Sequence, residues 1–398
     1  MGNPVTLNSR IAIIGAGIGG LSLALALAKA GAKNIAVYER RNHIEELGAG
    51  LQIGPNASRA LEKLGLGADL EEVSERFPAG DMFDALTGKR LTELPMDRHA
   101  YQAYGSHSYQ LLRNDLLQLL WKHLRGAMGC DPVRLGMEYT GLSEQRSKVC
   151  FSDGTEESAH LIVGADGVES NLRSDILKES RASYSGFFAW RGLLDLSAAN
   201  HLRKLDTMQV WMGERKHLIA YPLKGGSLIN LVGVSEQADW THAHAVETLS
   251  ANAWIEDFSD WCEEPISMIR MLDACQKWSL RLTPPLSSWG KGCVGLLGDA
   301  AHPMLPSLAQ GAGQAIEDAV CLAKHIGKGE YPAQQLLDRY FSERFERSRR
   351  VQQASLWNLK FFHRRRSAGT RLVHLGMRLG GGLTPKIIAR RYRWLYSD

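Results

Sequence analysis

Six residues near the N-terminus, Gly15-Ala16-Gly17-Ile18-Gly19-Gly20, constrain this chain more than any others. They follow a short apolar run, Ile11-Ala12-Ile13-Ile14, and open a longer apolar stretch over residues 21–30. The pattern predicts a strand, a tight glycine turn and a helix. Gly15, Gly17 and Gly20 fit G-x-G-x-x-G. In that arrangement the first glycine permits the sharp turn, the second lets a pyrophosphate approach the backbone, and the third lets helix and strand pack closely. The helix then offers unpaired N–H groups and the positive end of its dipole to the phosphates. A second apolar run over residues 34–38 ends in Glu39, nineteen residues after Gly20, where an acid binds ribose hydroxyls. A glycine-rich turn in an ordinary α/β unit leaves the position of that acid unexplained. A membrane span over residues 11–28 is disfavoured by its four glycines and by the Lys29 flank.

At 398 residues the chain can bury a large core, and two or three domains are expected. Residues 1–10 lack the apolar segment of a secretory signal. Six cysteines, at 130, 150, 262, 275, 293 and 321, form no C-x-x-C and no close-spaced framework. They read as reduced, mostly buried thiols of a cytoplasmic protein. His242-Ala243-His244 is the one close histidine pair and has no ligands at metal spacing, so no metal is expected. Charge is uneven. Residues 344–398 hold fourteen Lys/Arg against two acids, a net +12, while the rest carries 33 basic and 41 acidic residues, a net −8. An anion, lipid or nucleic-acid surface is the sharper reading of the basic segment. The favoured one is a solvated helical face docked on the acidic body, because Trp357, Phe361, Phe362, Leu372, Leu375 and Met377 interrupt the charges at helix-like spacing. Neither nucleic-acid nor membrane binding is therefore expected.

Further along, Leu47-Gly48-Ala49-Gly50-Leu51-Gln52-Ile53-Gly54-Pro55-Asn56 predicts backbone passing close to a ligand, with a helix after Pro55. Residues 77–110 read as short strands with turns. Arg113 stands at the start of a strongly apolar helix, where a cation gains nothing from the dipole, which points to an anion partner or a surface ion pair. Residues 133–153 predict strands with a hairpin turn at Asp153-Gly154. The run Leu161-Ile162-Val163-Gly164-Ala165-Asp166-Gly167 is a buried strand ending in an acid, placed for a ligand or for capping the next helix. Residues 183–235 change to short apolar and aromatic strands, as in an antiparallel sheet, and 244–275 read as helices. The α/β character returns at Cys293-Val294-Gly295-Leu296-Leu297-Gly298-Asp299-Ala300-Ala301-His302-Pro303. Then come Pro306 and Gly311-Ala312-Gly313 before a helix. A second G-x-G-x-x-G at Gly290, Gly292 and Gly295 precedes its strand and is rejected as a nucleotide loop.

The ordered motifs at Gly15–Gly20 with Glu39, at Gly164-Ala165-Asp166-Gly167 and at Gly298-Asp299-Ala300-Ala301-His302-Pro303 resemble the single-component flavoprotein aromatic hydroxylases. The similarity is to the branch containing salicylate, 3-hydroxybenzoate and 6-hydroxynicotinate hydroxylases, and it covers essentially the whole chain. It implies an α/β fold: a Rossmann-like FAD-binding domain from residues 1–76, 105–180 and 280–345, with an inserted antiparallel-sheet substrate domain from 77–104 and 181–279. Residues 346–398 would be a basic helical segment, the whole resembling p-hydroxybenzoate hydroxylase. It further implies that Gly15, Gly17, Gly19 and Gly20 hold the FAD pyrophosphate and Glu39 the adenosine ribose. Arg40 and Arg113 would contact the AMP and phosphate portions, with Asp166 and Asp299 supporting the pyrophosphate and ribitol. Gly311, Ala312 and Gly313 would present a helix N-terminus to the flavin ring, where reduced flavin carries negative charge.

By the same resemblance NADH or NADPH reduces FAD, O2 forms a flavin hydroperoxide, and oxygen passes to an electron-rich ring. The substrate is expected to be a phenolic or N-heteroaromatic compound, an aromatic carboxylate above all. Its pocket should lie between flavin and sheet, with Gln52, Trp190, Arg191, Tyr221, Pro306, Ser307 and Leu308 as candidates. Gln52, Tyr221 and Pro306 are the expected catalytic positions. In several relatives a histidine stands where this chain has Gln52 or Ser307, and neither residue serves as an ordinary general base. Arg191 could meet a substrate carboxylate or a partner within the sheet. His302 is expected to be structural. Alternatives on the same fold are a halogenase, a reductase, or a non-catalytic flavin protein with a basic partner- or membrane-binding tail. A W-x-W-x-I-P halogenase stretch is absent. Monomer and homodimer both stay open.

Overall fold

The computed structural model describes residues 3–44, 50–178, 181–196, 205–241 and 244–397. The strand Ile11–Ile14 lies at the heart of a six-stranded sheet. It pairs in parallel with Ile35–Tyr38 on one side and with Leu161–Gly164 on the other. Val294–Leu296 continues the parallel order beyond Leu161–Gly164, and Val133–Arg134 extends it beyond Ile35–Tyr38. The central strands are buried on both faces, so each reads as an unbroken apolar run instead of an alternation. Helix Ile18–Lys29 packs on this sheet, and helices Arg113–Met128 and Gly311–Lys328 pack against that helix. The three strands that precede Gly15, Ala165 and Leu297 are adjacent and parallel. Their outgoing loops therefore meet at one edge, although the chain separates them by more than a hundred residues each. That edge is where α/β sheets bind ligands.

A second sheet has eight strands, in the order Val246–Leu249, Cys275–Leu282, Ser183–Asp195, Leu228–Glu236, Lys216–Leu223, Met208–Gly213, Ala79–Asp84 and Arg90–Pro95. It is antiparallel except where Met208–Gly213 pairs in parallel with Ala79–Asp84. No hairpin joins those two strands, so nothing forces them to run in opposite directions. One face carries Trp190, Trp211, Leu218 and Leu231, packed against Trp254 and Phe258 of helix Ala251–Asp257 and its C-terminal end, with helix Glu263–Arg270 alongside. The other face looks toward the first sheet.

Several expectations are corrected. Within residues 77–110 the structure has a helix, Asp97–Tyr104, stopped by Gly105 at φ +66°. Its only fully buried residue is Ala100, so it lacks the apolar face that would reveal it. Within 244–275, Val246–Leu249 is a strand, held by edge pairing to Cys275–Leu282. All six thiols are free, but only Cys275 and Cys321 are fully buried, and Cys130 is exposed. Leu47-Gly48-Ala49 and His242 lie outside the described residues.

The basic segment is helical: Ala333–Phe362, Ala368–Leu379 and Leu383–Tyr396. It is docked on acids of the body, with Arg344 and Arg347 gripping Glu317 and Asp318. Among the described residues no helix is long and apolar enough to cross a membrane.

Candidate active site

One cavity of about 700 Å³ lies between the sheets and the C-terminal helices. At one end it is bounded by the glycine turn, and three glycines there do different physical work. Gly15 sits at φ +105°, and a Cβ on it would lie 2.5 Å from the Ala165 carbonyl oxygen of the neighbouring strand loop. A Cβ on Gly20 would lie 2.0 Å from the Gly15 carbonyl oxygen, so helix and strand can approach only without it. Gly17 lines the cavity, and a Cβ there would meet nothing within 4 Å. The space above Gly17 is thus open cavity. Glu39 stands behind the turn: its carboxylate accepts from the Ala16 N–H at 3.0 Å and from the Arg41 N–H at 3.1 Å. The turn is thereby tied to the end of the next strand.

Arg113 and Asp299 both line the cavity beyond the turn. Asp299 stands between the buried Gly298 and Ala300 with its own side chain exposed to the cavity. Burial pushes its carboxyl up, and the positive charges of His302 and Arg113 oppose that. Gly311 and Ala312, at the start of the long helix Gly311–Lys328, also line the cavity. That N-terminus is held from behind by a buried polar cluster. Asp318 accepts from Arg344 Nε at 2.7 Å and from the Gly298 N–H at 3.2 Å, and lies 2.5 Å from His302 Nε2. Burial alone would push the Asp318 carboxyl up, but His302 and Arg344 outweigh it and hold it at about 2. His302 thus acts inside the protein and does not line the cavity. Glu317 is gripped by Arg344 at 2.5 Å and Arg347 at 2.6 Å. Arg347 also donates to the Leu395 carbonyl at 2.8 Å, so the C-terminal helix is fastened to the same point.

At the far end the floor is one face of the eight-stranded sheet. Arg191, Val232, Val234, Asn230, His217, Ile219, Tyr221, Met208, Val210 and Met82 all line the cavity. Alternation explains the set: His217, Ile219 and Tyr221 are every second residue of one strand. Tyr221 is 3% exposed, and burial pushes its phenol up, so it stays protonated. Arg191 lies over the Trp278 ring at 4.6 Å. Gln52 donates toward Met208 Sδ at 3.3 Å. A Cβ on Gly50 would lie 2.5 Å from the Tyr221 hydroxyl, and its N–H donates to Asn230 Oδ1 at 2.8 Å. The roof is Pro306, Ser307 and Leu308 with Phe361, Phe362, Met377, Ile388 and Tyr392.

The structure therefore brings Gly17, Gly19, Gln52, Arg113, Arg191, Tyr221, Asp299, Pro306, Ser307, Leu308, Gly311 and Ala312 to one cavity. Gly15, Gly20 and Glu39 shape the turn from behind. Four expected residues are placed elsewhere. Trp190 points to the opposite sheet face, stacked on Trp254 at 5.8 Å and donating to Asp257 at 2.8 Å. It is next to Arg191 in a strand, so the two cannot share a face. Arg40 is exposed at the surface. Asp166 accepts from the Ser170 hydroxyl at 2.6 Å and the Leu172 N–H at 3.3 Å, the helix-capping option, while its neighbours Ala165 and Gly167 line the cavity. Gly313 packs against Gln310, Ala57 and Asn56. Ser307 donates its hydroxyl to the Ser355 carbonyl at 2.5 Å, a tie to helix Ala333–Phe362. Among the described residues, Cys321, His325 and Glu343 lie close enough to share an ion, but Glu343 is already paired with Lys324 and His325.

Two groups of cavity residues went unrecognised in the sequence. His217 is readable in hindsight, being two steps of strand alternation from Tyr221. The aromatic wall from residues 357–396 has no local signal, because only the return of the chain over the sheet puts it there.

Residues 8–355 match the family described as FAD binding domain. The 3-hydroxybenzoate 6-hydroxylase 1 of Aquipseudomonas alcaligenes is 32% identical over 393 residues, covering 98% of each chain. The 6-hydroxynicotinate 3-monooxygenase of Bordetella bronchiseptica is 30% identical over 358 residues, covering 87% of this chain and 90% of that one. A substrate complex of salicylate hydroxylase superposes with a TM-score of 0.80 at 25% identity, covering 98% of this chain and 95% of the other.

Proposed function

The chain belongs to the FAD binding domain family and is an FAD-dependent aromatic monooxygenase, and from that premise we propose that it hydroxylates a small phenolic or N-heteroaromatic carboxylate with NADH or NADPH and O2. One observation carries the reading: a single cavity runs from the glycine turn to a sheet face bearing Arg191, His217 and Tyr221. A nucleotide at one end and an aromatic acid at the other fit that continuity.

The residues present fit FAD. Gly17 leaves room for a pyrophosphate, and the N–H groups and dipole of helix Ile18–Lys29 favour its charge. Arg113 and Asp299 would meet the phosphate and ribitol portions, and Gly311 and Ala312 would set a helix N-terminus against the ring, where it stabilises negative charge. When bound, FAD supplies the redox chemistry, accepting hydride from NAD(P)H and activating O2.

The chain's own residues do the rest. Arg191 pairs with the substrate carboxylate and is kept in place by Trp278. Tyr221, protonated, donates a hydrogen bond that orients the ring. His217 lines the same wall with its Nδ1 turned to His363 at 2.8 Å, so Nε2 is the nitrogen left to accept a phenolic proton. Met82, Met208, Val210, Ile219 and Val232 exclude water around the reacting ring. Gln52 and Pro306 border the ring and shape its position.

The test is a panel of hydroxybenzoates, aminohydroxybenzoates and hydroxypyridine carboxylates on purified holoenzyme. Expected is at least one compound that speeds NAD(P)H oxidation and appears as hydroxylated product. Oxidation without product across the whole panel would sink the proposal.

A further inference from the structure

His217 belongs to a buried chain of titratable groups that leads out of the cavity. Its Nδ1 is 2.8 Å from His363 Nε2. His363, at the end of helix Ala333–Phe362, is itself buried. The other ring nitrogen of His363, Nδ1, lies 3.3 Å from Glu236 Oε1, at a contact off the line of a good hydrogen bond. Glu236 ends its strand at the surface, 28% exposed, and its second oxygen is 3.2 Å from Arg215 Nε. Phe187 and Phe362 pack beside the two imidazoles and keep the path apolar on its flanks. Arg215, Glu236 and the two histidines are the titratable groups in contact along this path.

We propose that His217, His363 and Glu236 form a proton outlet from the substrate cavity to solvent, with His363 the connecting residue. This rests on the reading of the cavity as the site of a phenolic substrate. The outlet takes one pair of starting tautomers: the proton of His363 is on Nδ1, toward Glu236. Its Nε2 then accepts from Nδ1–H of His217. In the step, the substrate O–H bond breaks and an Nε2–H bond forms on His217. The Nδ1 proton of His217 passes to Nε2 of His363, and the Nδ1 proton of His363 passes to Glu236 and on to water. One proton leaves, and no imidazolium has to accumulate. Burial, which lowers both imidazoles to about 3 and about 2, keeps them neutral conductors instead of stores. The cost of ionising the substrate is then set by the bulk pH, not by the basicity of either ring.

The experiment mixes full-length holoenzyme with 3-hydroxybenzoate in weak buffer with a pH indicator, under stopped flow. The flavin spectrum reports occupancy of the site and the indicator reports proton release. Expected is release that slows at least about tenfold in His363→Gln, with the flavin response to the probe unchanged. Glu236→Gln, which leaves the histidine pair intact, should slow it in the same sense. Proton release at the wild-type rate in both variants overturns the outlet. Where 3-hydroxybenzoate leaves the flavin spectrum unmoved, the panel compound that moves it takes its place, and a spectrum unmoved by the whole panel removes the reading of the cavity itself, and the outlet with it. Histidine ¹⁵N spectra of the wild type give a separate check: an Nε2–H tautomer on His363 contradicts the path.

Discussion

At the nucleotide end much of the cavity wall is backbone, from three short motifs at the ends of adjacent strands: Gly15 to Gly20 and the loops after Leu161–Gly164 and Val294–Leu296. At the sheet end the wall is side chain, from strands that the chain visits far apart: Arg191, His217, Tyr221 and Asn230. The first kind of site depends on what is missing, a Cβ. The second depends on which face a side chain takes, and a shift of one residue reverses it. Binding of a common cofactor rests mainly on the first, whereas choice among substrates needs the second.

The largest effect is expected where both ends are fastened together. Arg344→Met leaves Asp318 and Glu317 without their buried cation and should cost about 3–5 kcal/mol in urea unfolding. It should lower flavin retention and substrate response together. Loss of one alone would show that the two ends are not joined through this cluster.

The glycine turn can be divided further. Gly20→Val would force a side chain against the Gly15 carbonyl oxygen, so the variant should retain less than about a tenth of its FAD after gel filtration. Gly17→Ala meets open space, so apoprotein stability should change by less than about 0.5 kcal/mol while FAD affinity falls. Equal destabilisation of both apoproteins would contradict the separate roles.

Acid should attack the nucleotide end through Asp318. Its folded pKa of about 2 lies below the ordinary value of 3.8. Its stabilisation is therefore complete above about pH 4 and lost as pH falls through 2, on the order of 2 kcal/mol. Thermal melts from pH 5 to 2.5 should show a drop that Asp318→Asn lacks.

Asp299→Ala should weaken FAD retention by roughly tenfold or more, whereas Tyr221→Phe should leave it intact and raise KM for the aromatic substrate. If Tyr221→Phe strips the flavin, the division between the two ends is wrong. Smallest is Trp190→Phe, which removes the hydrogen bond to Asp257 on the far side of the sheet. It should cost about 1 kcal/mol of stability and leave KM unchanged.

How far the sequence could be read follows the same division. Gly15, Gly17, Gly20 and Asp299 were legible because their roles are local: a turn, a close approach, a strand end. Asp166 showed the limit, since a strand-end acid can serve a ligand or a helix, and its side chain turned to Ser170. Trp190 and Arg191 are consecutive in one strand, and strand geometry allows only one of them to face the cavity. The basic segment was readable as a docked helical face. That its aromatic residues close the cavity was not, because no pattern within residues 344–398 says what lies beneath them.

By itself, then, the sequence determined the dinucleotide turn, the order of α/β and antiparallel segments, and the acids at strand ends. Each of these follows from short-range sterics and periodicity. Tertiary structure alone decided which face of the second sheet meets the cavity, that His217 touches His363 across 146 positions of chain, and that the C-terminal helices form the roof. Those outcomes depend on packing between distant segments, where burial and alternation act only after the chain has folded back on itself.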